Sequence, residues 1–512
     1  MKKLKDGLLG LFKGENPTAT LTTCVVIAVL VLLNVIAFTL TSGLGLYLYA
    51  PEYSDLTISG STDQLYSSVS LGKEVTVTFC MEEDDLKNHD TGSFVYTTAL
   101  QFAERYDFVK LKFVNMLTKR DENGEFFDFD RYSEDMKGEK IPIRQNSVIF
   151  SQGASYRVLT DVRTTAGFAD FFSLNSAGEA YAYCGEEVMA SMIAWVLHDE
   201  HGTAYLTEKH GEGVDSGFLT MLTCAGYYVD TLNLRDKEIP SDAEMVVISN
   251  PTTDFYRLES GAEGRSEIEK LEEYLTEGGS LLVMLDPLVK ELPVLEGFLK
   301  EWGIELIGRE DENGTYSRAM VKNSDMGVTV DGYSFVAEYA PEKISSNIKS
   351  YAGIYNKNGR VLISRAAAIR VDGSLGAQSL LNSGAGSELV LGGNLMKDEP
   401  AGEYGYSVAA ATERRNEDGS LARVIVVPTA YLLAADAIVG ERYVNRDFFY
   451  SALYTFFGAK SAPIGCNIVT YDNTLLENFT MRTARLMTAG ILAIPAGLAV
   501  LGAVITIKRK NR

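Results

Sequence analysis

The sequence predicts an α/β fold: an extracytoplasmic, doubly wound, mostly parallel sheet with a smaller N-terminal α/β domain and a β-rich excursion, flanked by two transmembrane helices. Two observations predict the sheet. The stretch Ile268–Pro287 spaces its first apolar residues as a helix does and, after Gly278 and Gly279, continues as a short apolar run. Such a run is typical of a strand buried on both faces. Strands and helices also alternate at βα spacing from residue 203 to 309, which predicts parallel strands.

Two long apolar segments predict the membrane anchors. Residues 21–40 and 486–507 contain no charged side chain, and each is long enough to cross a bilayer core of roughly 30 Å as a helix. The tails outside them, 1–20 and 508–512, carry net charges of +2 and +4, against −28 for the rest. The positive-inside rule then predicts a two-pass protein of the cell membrane with both termini cytoplasmic. A cleaved signal peptide is the alternative for the first segment, and a buried core helix for the second.

After the first anchor, the sequence predicts a polar connection and a small α/β domain. Residues 41–72 show little periodicity, which indicates an extended linker. Residues 73–185 hold two alternating runs, VTVTF and VKLKFVN, separated by a helical pattern, and together these predict a β-α-β unit. Asn-Gly pairs at 123–124 and 313–314 predict hairpin turns.

The central α/β domain is predicted at residues 186–309. It begins with a helix and continues with the strands TAYLT, YYVDTL and MVVIS, followed by the helix and strand of the stretch described first. Residues 310–422 are rich in Gly, Ser and Asn and predict a β-rich excursion. The run RVIVV and a helical pattern then return the chain to the α/β domain at 423–466, and a polar linker at 467–485 leads to the second anchor.

Composition limits the partners and the redox chemistry. A net charge of −22 argues against nucleic acid as a partner, because a phosphate backbone attracts basic surfaces. Five cysteines are too few and too scattered for a disulfide framework. Cys24 falls in the first anchor. Single buried thiols are favoured over one or two disulfides for the four cysteines outside it, which are Cys80, Cys184, Cys224 and Cys466.

The common catalytic and cofactor motifs are incomplete in this sequence. The Gly-Lys-Glu of 72–74 lacks the earlier glycine and the Ser/Thr of a phosphate loop, and the Gly-Ala-Gly of 384–386 lacks the third glycine of a dinucleotide motif. His198 and His201 lie three positions apart, whereas a zinc-protease helix needs four. Ser216 lies one residue too far from the preceding glycine for a hydrolase elbow. We therefore predict no catalytic residue, no metal site and no cofactor.

Four polar residues that follow predicted strands form the candidate binding site. His210 and Glu212 follow TAYLT, Asn250 follows MVVIS, and Asp286 follows the apolar run of the first stretch. If these strands are parallel neighbours, the four side chains meet at the carboxyl edge of the sheet, where open α/β sheets bind their ligands. The alternative is that these residues cap helices and brace loops.

Several phrases occur in an order that is shared with a known protein family. They are AYLTEKHGEGVDSGFLTMLTCAGYYVDTLNL, IPSDAEMVVISNPTTDF and LEEYLTEGGSLLVMLDP, with DLTISGSTDQLYS near the first anchor and NRDFFYSALYTFFG before the second. In these phrases the chain resembles the GldG family of auxiliary proteins of bacterial ABC transporters, first linked to gliding motility. The resemblance implies a central domain similar to the class I glutamine amidotransferase-like fold. The amidotransferase nucleophile is missing here, because the strand end reads His210-Gly211-Glu212 and the nearest cysteine, Cys224, falls inside the next predicted helix.

The resemblance and the anchors together predict a non-enzymatic, membrane-anchored auxiliary subunit of an ABC transport complex. Its partners would be an ABC permease and a separate ATP-binding subunit, while its outer domain would bind substrate, an envelope component or a partner subunit. Three glycines of the second anchor, Gly490, Gly497 and Gly502, would allow close packing against the permease. Two alternatives stay open: an envelope hydrolase that acts on sugars or amides through the strand-end residues, and a membrane-anchored sensor or scaffold.

Overall fold

The computed structural model describes residues 56–470, except 68–72, 136, 161–167, 175–179, 215, 259–263, 311–313, 357–358, 430, 434–436 and 439–442. The predicted anchors at 21–40 and 486–507 and the predicted tails at 1–20 and 508–512 lie outside these residues. Within the described ranges, no helix combines the length and the apolar character that crossing a bilayer requires.

Nine α-helices and 24 β-strands lie in the described part of the chain. The helices are α1 (Ser61–Ser67), α2 (Glu83–Lys87), α3 (Gly92–Arg105), α4 (Gly185–Leu197), α5 (Ser216–Cys224), α6 (Glu267–Thr276), α7 (Pro293–Glu301), α8 (Lys343–Ala352) and α9 (Asn445–Ala452), and α9 continues as a π-helical turn over Leu453–Phe457. The first twelve strands are β1 (Val75–Phe79), β2 (Val109–Asn115), β3 (Arg120–Asp121), β4 (Val148–Gln152), β5 (Ser155–Leu159), β6 (Phe172–Leu174), β7 (Ala180–Tyr183), β8 (Thr203–Thr207), β9 (Tyr228–Leu232), β10 (Ala243–Ser249), β11 (Ser280–Met284) and β12 (Ile304–Leu306). The others are β13 (Gly308–Glu310), β14 (Tyr316–Arg318), β15 (Met320–Lys322), β16 (Ser334–Tyr339), β17 (Val361–Ser364), β18 (Ile369–Val371), β19 (Ala377–Asn382), β20 (Glu388–Leu391), β21 (Asn394–Met396), β22 (Ser407–Arg415), β23 (Leu421–Val427) and β24 (Val469–Thr470).

An eleven-stranded sheet forms the centre of the described molecule. Its main path runs β17-β16-β19-β22-β23-β11-β10-β8-β9, with β12 and β18 attached through β22. The five strands from β23 to β9 are parallel to one another. β11 is the strand predicted after Gly279, and it pairs with β10 on one side and β23 on the other. All five of its residues are buried, so the prediction of a strand covered on both faces is confirmed.

The sheet as a whole is mixed, and the prediction of a mostly parallel sheet is wrong. β22 runs antiparallel to β23, and β16, β17, β18 and β19 continue the antiparallel pairing beyond it. A tight turn at 416–420 joins β22 to β23, and a hairpin can connect only antiparallel neighbours. The alanine-rich run 408–411 is buried within β22. Alanine has a low β-propensity, so the sequence gives little indication that this run is a central strand. The segment predicted as a β-rich excursion therefore extends the same sheet.

Helices cover both faces of the parallel strands. Alternate strand residues point to opposite faces, and each set belongs to a separate apolar core. One core joins Tyr205, Val246 and Val283 to the inner faces of α6 and α7. The other joins Leu206, Val247 and Leu282 to α4, α5 and α9. This packing on both faces explains why the sequences of the parallel strands are continuous apolar runs.

A smaller five-stranded sheet precedes the central sheet. Its order is β3-β2-β1-β4-β5, and β1 and β2 are parallel because α3 connects them, as the predicted β-α-β unit requires. β3 returns beside β2 through the turn at 116–119. The predicted Asn-Gly turn follows β3, where Gly124 has a φ of 79° and its N–H donates to the carbonyl of Asp121. Residues of β1, β4 and α4 belong to one continuous core, so this sheet packs directly on the helix that opens the central domain.

The first and last described segments meet at the start of α4. The buried carboxylate of Glu186 accepts hydrogen bonds from the N–H and the hydroxyl of Ser59 at 2.8 and 2.7 Å, and from the hydroxyl of Thr62 at 2.7 Å. Its second oxygen accepts the N–H of Asn467 at 2.7 Å. One carboxylate therefore joins the two ends of the described chain.

Candidate functional site

The candidate site lies where the strand order of the parallel sheet reverses. Numbered along the chain, the five parallel strands β8, β9, β10, β11 and β23 lie in the spatial order 2-1-3-4-5. The chain therefore leaves β8 towards one edge and later returns to add strands on its other side. In open α/β sheets the crevice outside the carboxyl ends of such strands is the usual place of ligand binding. His210 follows β8 and Asn250 follows β10, so both predicted residues lie at this switch point.

His210 is the centre of a buried ionic cluster. Its side chain is 0% exposed, with Nδ1 lying 3.1 Å from Glu212 Oε1 and Nε2 lying 3.1 Å from Glu267 Oε2. The ring also stacks on Phe255, with 4.0 Å between the ring centroids. We call His210, Glu212 and Glu267 the strand-end cluster. The structure thus brings together two of the four predicted residues and adds a third.

The charges of the strand-end cluster follow from its contacts. Burial by itself would lower the pKa of His210, but the hydrogen bonds and charges of Glu212 and Glu267 raise that pKa to about 9. Burial opposes ionisation of both carboxyl groups, and the hydrogen bonds from His210 and from the backbone outweigh it, so their pKa values lie below the usual range. At pH 7 the cluster is a histidinium between two carboxylates. Arg235 Nε, 3.6 Å from Glu267 Oε1, balances the remaining negative charge.

The main chain beside His210 ties two loops of the site together. Its carbonyl accepts hydrogen bonds from the N–H groups of Thr252 and Thr253 at 2.8 and 2.9 Å. Gly211 has a φ of +75°, and a Cβ placed on it would lie 2.0 Å from Thr252 Oγ1. Both the left-handed backbone and the close approach require glycine here. The loops after β8 and β10 are therefore held in one arrangement.

Asn250 differs from the other predicted residues because its side chain has an acceptor without a hydrogen bond in the described part of the chain. Its backbone adopts a left-handed φ of 50°, and its N–H donates to the carbonyl of Met284 at 2.8 Å. Its Oδ1 atom is buried and has no hydrogen-bond partner among the described residues. A buried acceptor without a donor is uncommon and destabilising. An unused acceptor at the switch point suits contact with a ligand that carries a donor.

Asp286 forms its hydrogen bonds within its own turn at the end of β11. Its Oδ1 accepts the N–H of Leu288 at 2.9 Å, and its carbonyl accepts the N–H of Val289 at 3.2 Å. Within the described residues, no hydrogen bond or ion pair joins its carboxylate to the other three predicted residues. Asp286 therefore caps its own turn, although it lies at the same edge of the sheet.

Glu267 is the site residue that the sequence analysis missed. It is the first residue of α6, which Ser266 caps in a reciprocal pair of hydrogen bonds with Glu269. The Ser-x-x-Glu pattern could have located this helix start, where a carboxylate interacts favourably with the helix dipole. The pairing of Glu267 with a histidine 57 positions earlier could not have been read from spacing.

A second buried ionic cluster connects α4 to α9 and was also missed. Glu187 Oε2 lies 2.8 Å from Arg446 Nη2, and the Tyr450 hydroxyl donates to Glu187 Oε1. Burial raises the pKa of Glu187, and Arg446 partly opposes this. Arg446 Nη1 also lies 3.7 Å from the sulfur of Cys184. Because every member is buried, this cluster holds two helices together.

The cysteines of the described chain are free thiols, as predicted, and three of the four are buried.

The geometry of the strand-end cluster suits positioning better than proton transfer. Both ring nitrogens of His210 face carboxylates, and no part of the ring reaches solvent, so it cannot take a proton from a ligand in this conformation. The described residues contain no group of three or more His, Cys, Asp or Glu side chains arranged to hold a metal ion. What the site offers a ligand is the Asn250 acceptor and the loops that the cluster holds in place.

Comparisons with known proteins identify no family. No family model matches the sequence, and no curated protein matches it. Among solved structures, similarity is found to the N-terminal domain of mmIFT52 (14% identity, TM-score 0.34, 50% of this chain and 97% of that one) and to PurLQS from Thermotoga maritima (11%, 0.27, 50% and 98%). Cytoplasmic protein STM3548 from Salmonella typhimurium gives 11% identity and a TM-score of 0.29 over 50% of this chain and 98% of that one. These scores are too low to bear on family or function, so the GldG resemblance stays a prediction.

Proposed function

We propose that the chain is a non-enzymatic, membrane-anchored auxiliary subunit of an ABC transport complex, whose outer domain binds substrate, an envelope component or a partner subunit. The segments 21–40 and 486–507 would anchor it with both termini in the cytoplasm. An ABC permease and a separate ATP-binding subunit would be its partners, because the sequence has no phosphate loop of its own.

The observation that best supports this proposal is the meeting of the first and last described segments at Glu186. Besides their shared hydrogen bonds to that carboxylate, the ends touch directly: Asn467 Nδ2 lies 3.5 Å from the carbonyl of Thr57, and the Ser59 hydroxyl lies 3.3 Å from the carbonyl of Gly465. A domain whose first and last segments lie side by side can be attached to one membrane through both ends. Ends on opposite faces of the domain would have required one linker to pass around it.

The candidate site favours binding over catalysis. His210 is enclosed and already paired on both nitrogens, so the strand-end cluster resembles a brace more than an acid-base pair. Asn250 supplies a buried acceptor at the place where α/β sheets commonly bind ligands. A site with a prepared loop and a spare hydrogen-bond acceptor matches a subunit that recognises a ligand without transforming it.

Labelling in whole cells would test the anchored topology. Leu117 is 96% exposed in the turn between β2 and β3, so Leu117→Cys would provide a reactive thiol on the outer domain. A membrane-impermeant maleimide should label this variant in intact cells, while the parent chain provides the background from its own cysteines. Labelling that appears only after lysis would contradict an extracytoplasmic domain.

A further inference from the structure

A cavity of about 450 Å³ lies at the opposite edge of the central sheet from the strand-end cluster. It is bounded by β5 of the N-terminal sheet, by the end of α4 and by the amino end of β9. Its walls are formed largely by aromatic and basic side chains, namely Tyr156, Arg157, Trp195, His198, His201 and Tyr228. The cavity thus lies between the N-terminal sheet and the central domain and is separate from the predicted site.

Arg157 lies in this cavity without an ionic partner. Its guanidinium carbon lies 5.4 Å from the ring centroid of Trp195 and 4.9 Å from that of Tyr228. Burial lowers its pKa, and the nearby Tyr228 partly opposes this. No carboxylate of a described residue forms an ion pair with it, and its Nε atom is buried with no hydrogen-bond partner among those residues. Arg157 is only partly exposed, and a partly buried cation without an ion-pair partner is energetically unfavourable unless a ligand supplies the missing negative charge.

The acidic residues of the rim are already engaged. Asp135 Oδ1 accepts the N–H groups of Lys137 and Glu139 at 2.9 and 2.7 Å. Asp199 points to solvent and lies 3.5 Å from Lys73 Nζ. Neither carboxylate forms an ion pair with Arg157, and the charges of Asp170 and Asp135 only partly oppose the lowering of its pKa by burial.

The remaining wall is aromatic and neutral at pH 7. Trp195 is 2% exposed, its indole N–H has no partner among the described residues, and the ring of His201 stacks on it at 3.6 Å. Burial lowers the pKa of His198 and lowers that of His201 to about 4, so both imidazoles are uncharged near neutrality. One cation surrounded by neutral rings suits a ligand with a single negative charge and an apolar body.

We propose that this cavity is a binding site for a small organic carboxylate. The fork of Arg157 would hold the carboxylate group, and the aromatic rings around it would enclose an apolar or aromatic body. A multiply charged inorganic anion suits the site less well, because a single guanidinium in an apolar wall cannot balance it. The proposal concerns the chain itself and does not depend on its transport partners.

Binding of benzoate to the purified full chain tests this proposal. The chain has two tryptophans, so Trp302→Phe leaves Trp195 as the fluorescent reporter in the cavity wall. Millimolar benzoate should change the Trp195 emission and raise the melting temperature, whereas benzamide, which has the same shape and no charge, should do neither. Arg157→Met should weaken benzoate binding at least tenfold, and Arg157→Lys should weaken it less because the charge is kept without the fork.

Arg120→Met is the matched control, because Arg120 belongs to the same N-terminal sheet, is exposed and does not line the cavity. Benzoate should bind this variant as it binds the parent. Equal responses to benzoate and benzamide, an unchanged response in Arg157→Met, or no response of the parent chain would each overturn the proposal. A response to inorganic phosphate in place of benzoate would overturn the assignment of a carboxylate. The comparison of benzoate with benzamide needs only the parent cavity, so the test stands even if a variant fails to fold.

Discussion

At the scale of single residues, the buried charges of the strand-end cluster are interdependent. His210→Ala would leave Glu212 and Glu267 facing each other in a buried space, and breaking such a cluster lowers the free energy of unfolding by about 3–5 kcal/mol. Urea unfolding would measure the loss. Glu208→Ala, two positions away with an exposed side chain, should change stability by no more than about 0.5 kcal/mol. A His210→Ala chain of parental stability would contradict the role as a brace and favour the hydrolase alternative.

The raised pKa of His210 makes stability depend on pH in a defined direction. Its pKa is about 9 in the folded chain against 6.5 for an unperturbed histidine, so its contribution is complete below pH 6.5 and is lost as the pH rises towards 9. The free energy of unfolding should fall by up to about 3 kcal/mol across this range. Unfolding curves at pH 6.5 and 9 would measure the change, and His210→Gln should remove most of it. An identical fall in the variant would assign the pH dependence to other groups.

The sequence could predict part of this site and not the rest. His210, Glu212 and Asn250 follow parallel strands that prove to be neighbours, so strand order alone was sufficient to group them at one edge. The pairing of Glu267 with His210 could not be predicted, because the position of Glu267 depends on how α6 packs on the sheet. Asp286 was grouped with the others on the same rule. Its carboxylate instead accepts the backbone N–H of Leu288, two residues later, because this local hydrogen bond is always within reach.

At the scale of elements, the loop after β8 depends on one glycine. Gly211→Ala would combine a left-handed backbone with a Cβ 2.0 Å from Thr252 Oγ1, so it should lower the free energy of unfolding by about 2 kcal/mol or more. Gly213 is the matched control in the same loop, since a Cβ there meets no atom within 4 Å. Thermal unfolding of both variants would measure the difference. Equal melting temperatures would show that the loop is not held as described.

The start of α4 determines how the first and last described segments are held. Glu186→Ala removes four hydrogen bonds, and the N–H groups of Ser59 and Asn467 would lose their acceptor. We expect a loss of about 3 kcal/mol and faster hydrogen exchange at both amides, measured by mass spectrometry. Glu200→Ala, in the exposed segment after the same helix, serves as the control. Unchanged exchange at these two amides would contradict the joining of the ends.

Element type was easier to predict than element pairing. α4, α6, β8, β10 and β11 were all recognisable, because their apolar periodicity and glycine stops are local properties of the chain. The antiparallel half of the sheet was not, because pairing of β22 with β19 depends on contacts between residues about 30 positions apart and β22 contains a run of alanines.

At the scale of the whole molecule, one sheet joins the parts that the sequence suggested were separate. The parallel half resembles a doubly wound unit and carries the candidate site at its carboxyl edge. The antiparallel half extends the same sheet, and the N-terminal sheet packs on α4. The candidate site and the cavity around Arg157 thus lie at opposite edges of the central sheet, while the two ends of the described part of the chain meet at a third place, on Glu186.

The most direct test of the proposed function is affinity purification of the tagged full chain from native bacterial membranes, with identification of the proteins that co-elute. The proposal predicts that a multi-span permease and an ATP-binding subunit co-elute in constant proportion with the chain. It also predicts that Glu186→Ala, which loosens the joined ends, reduces their recovery. Repeated recovery of this chain alone, from membranes in which it is intact, would contradict its assignment to a transport complex.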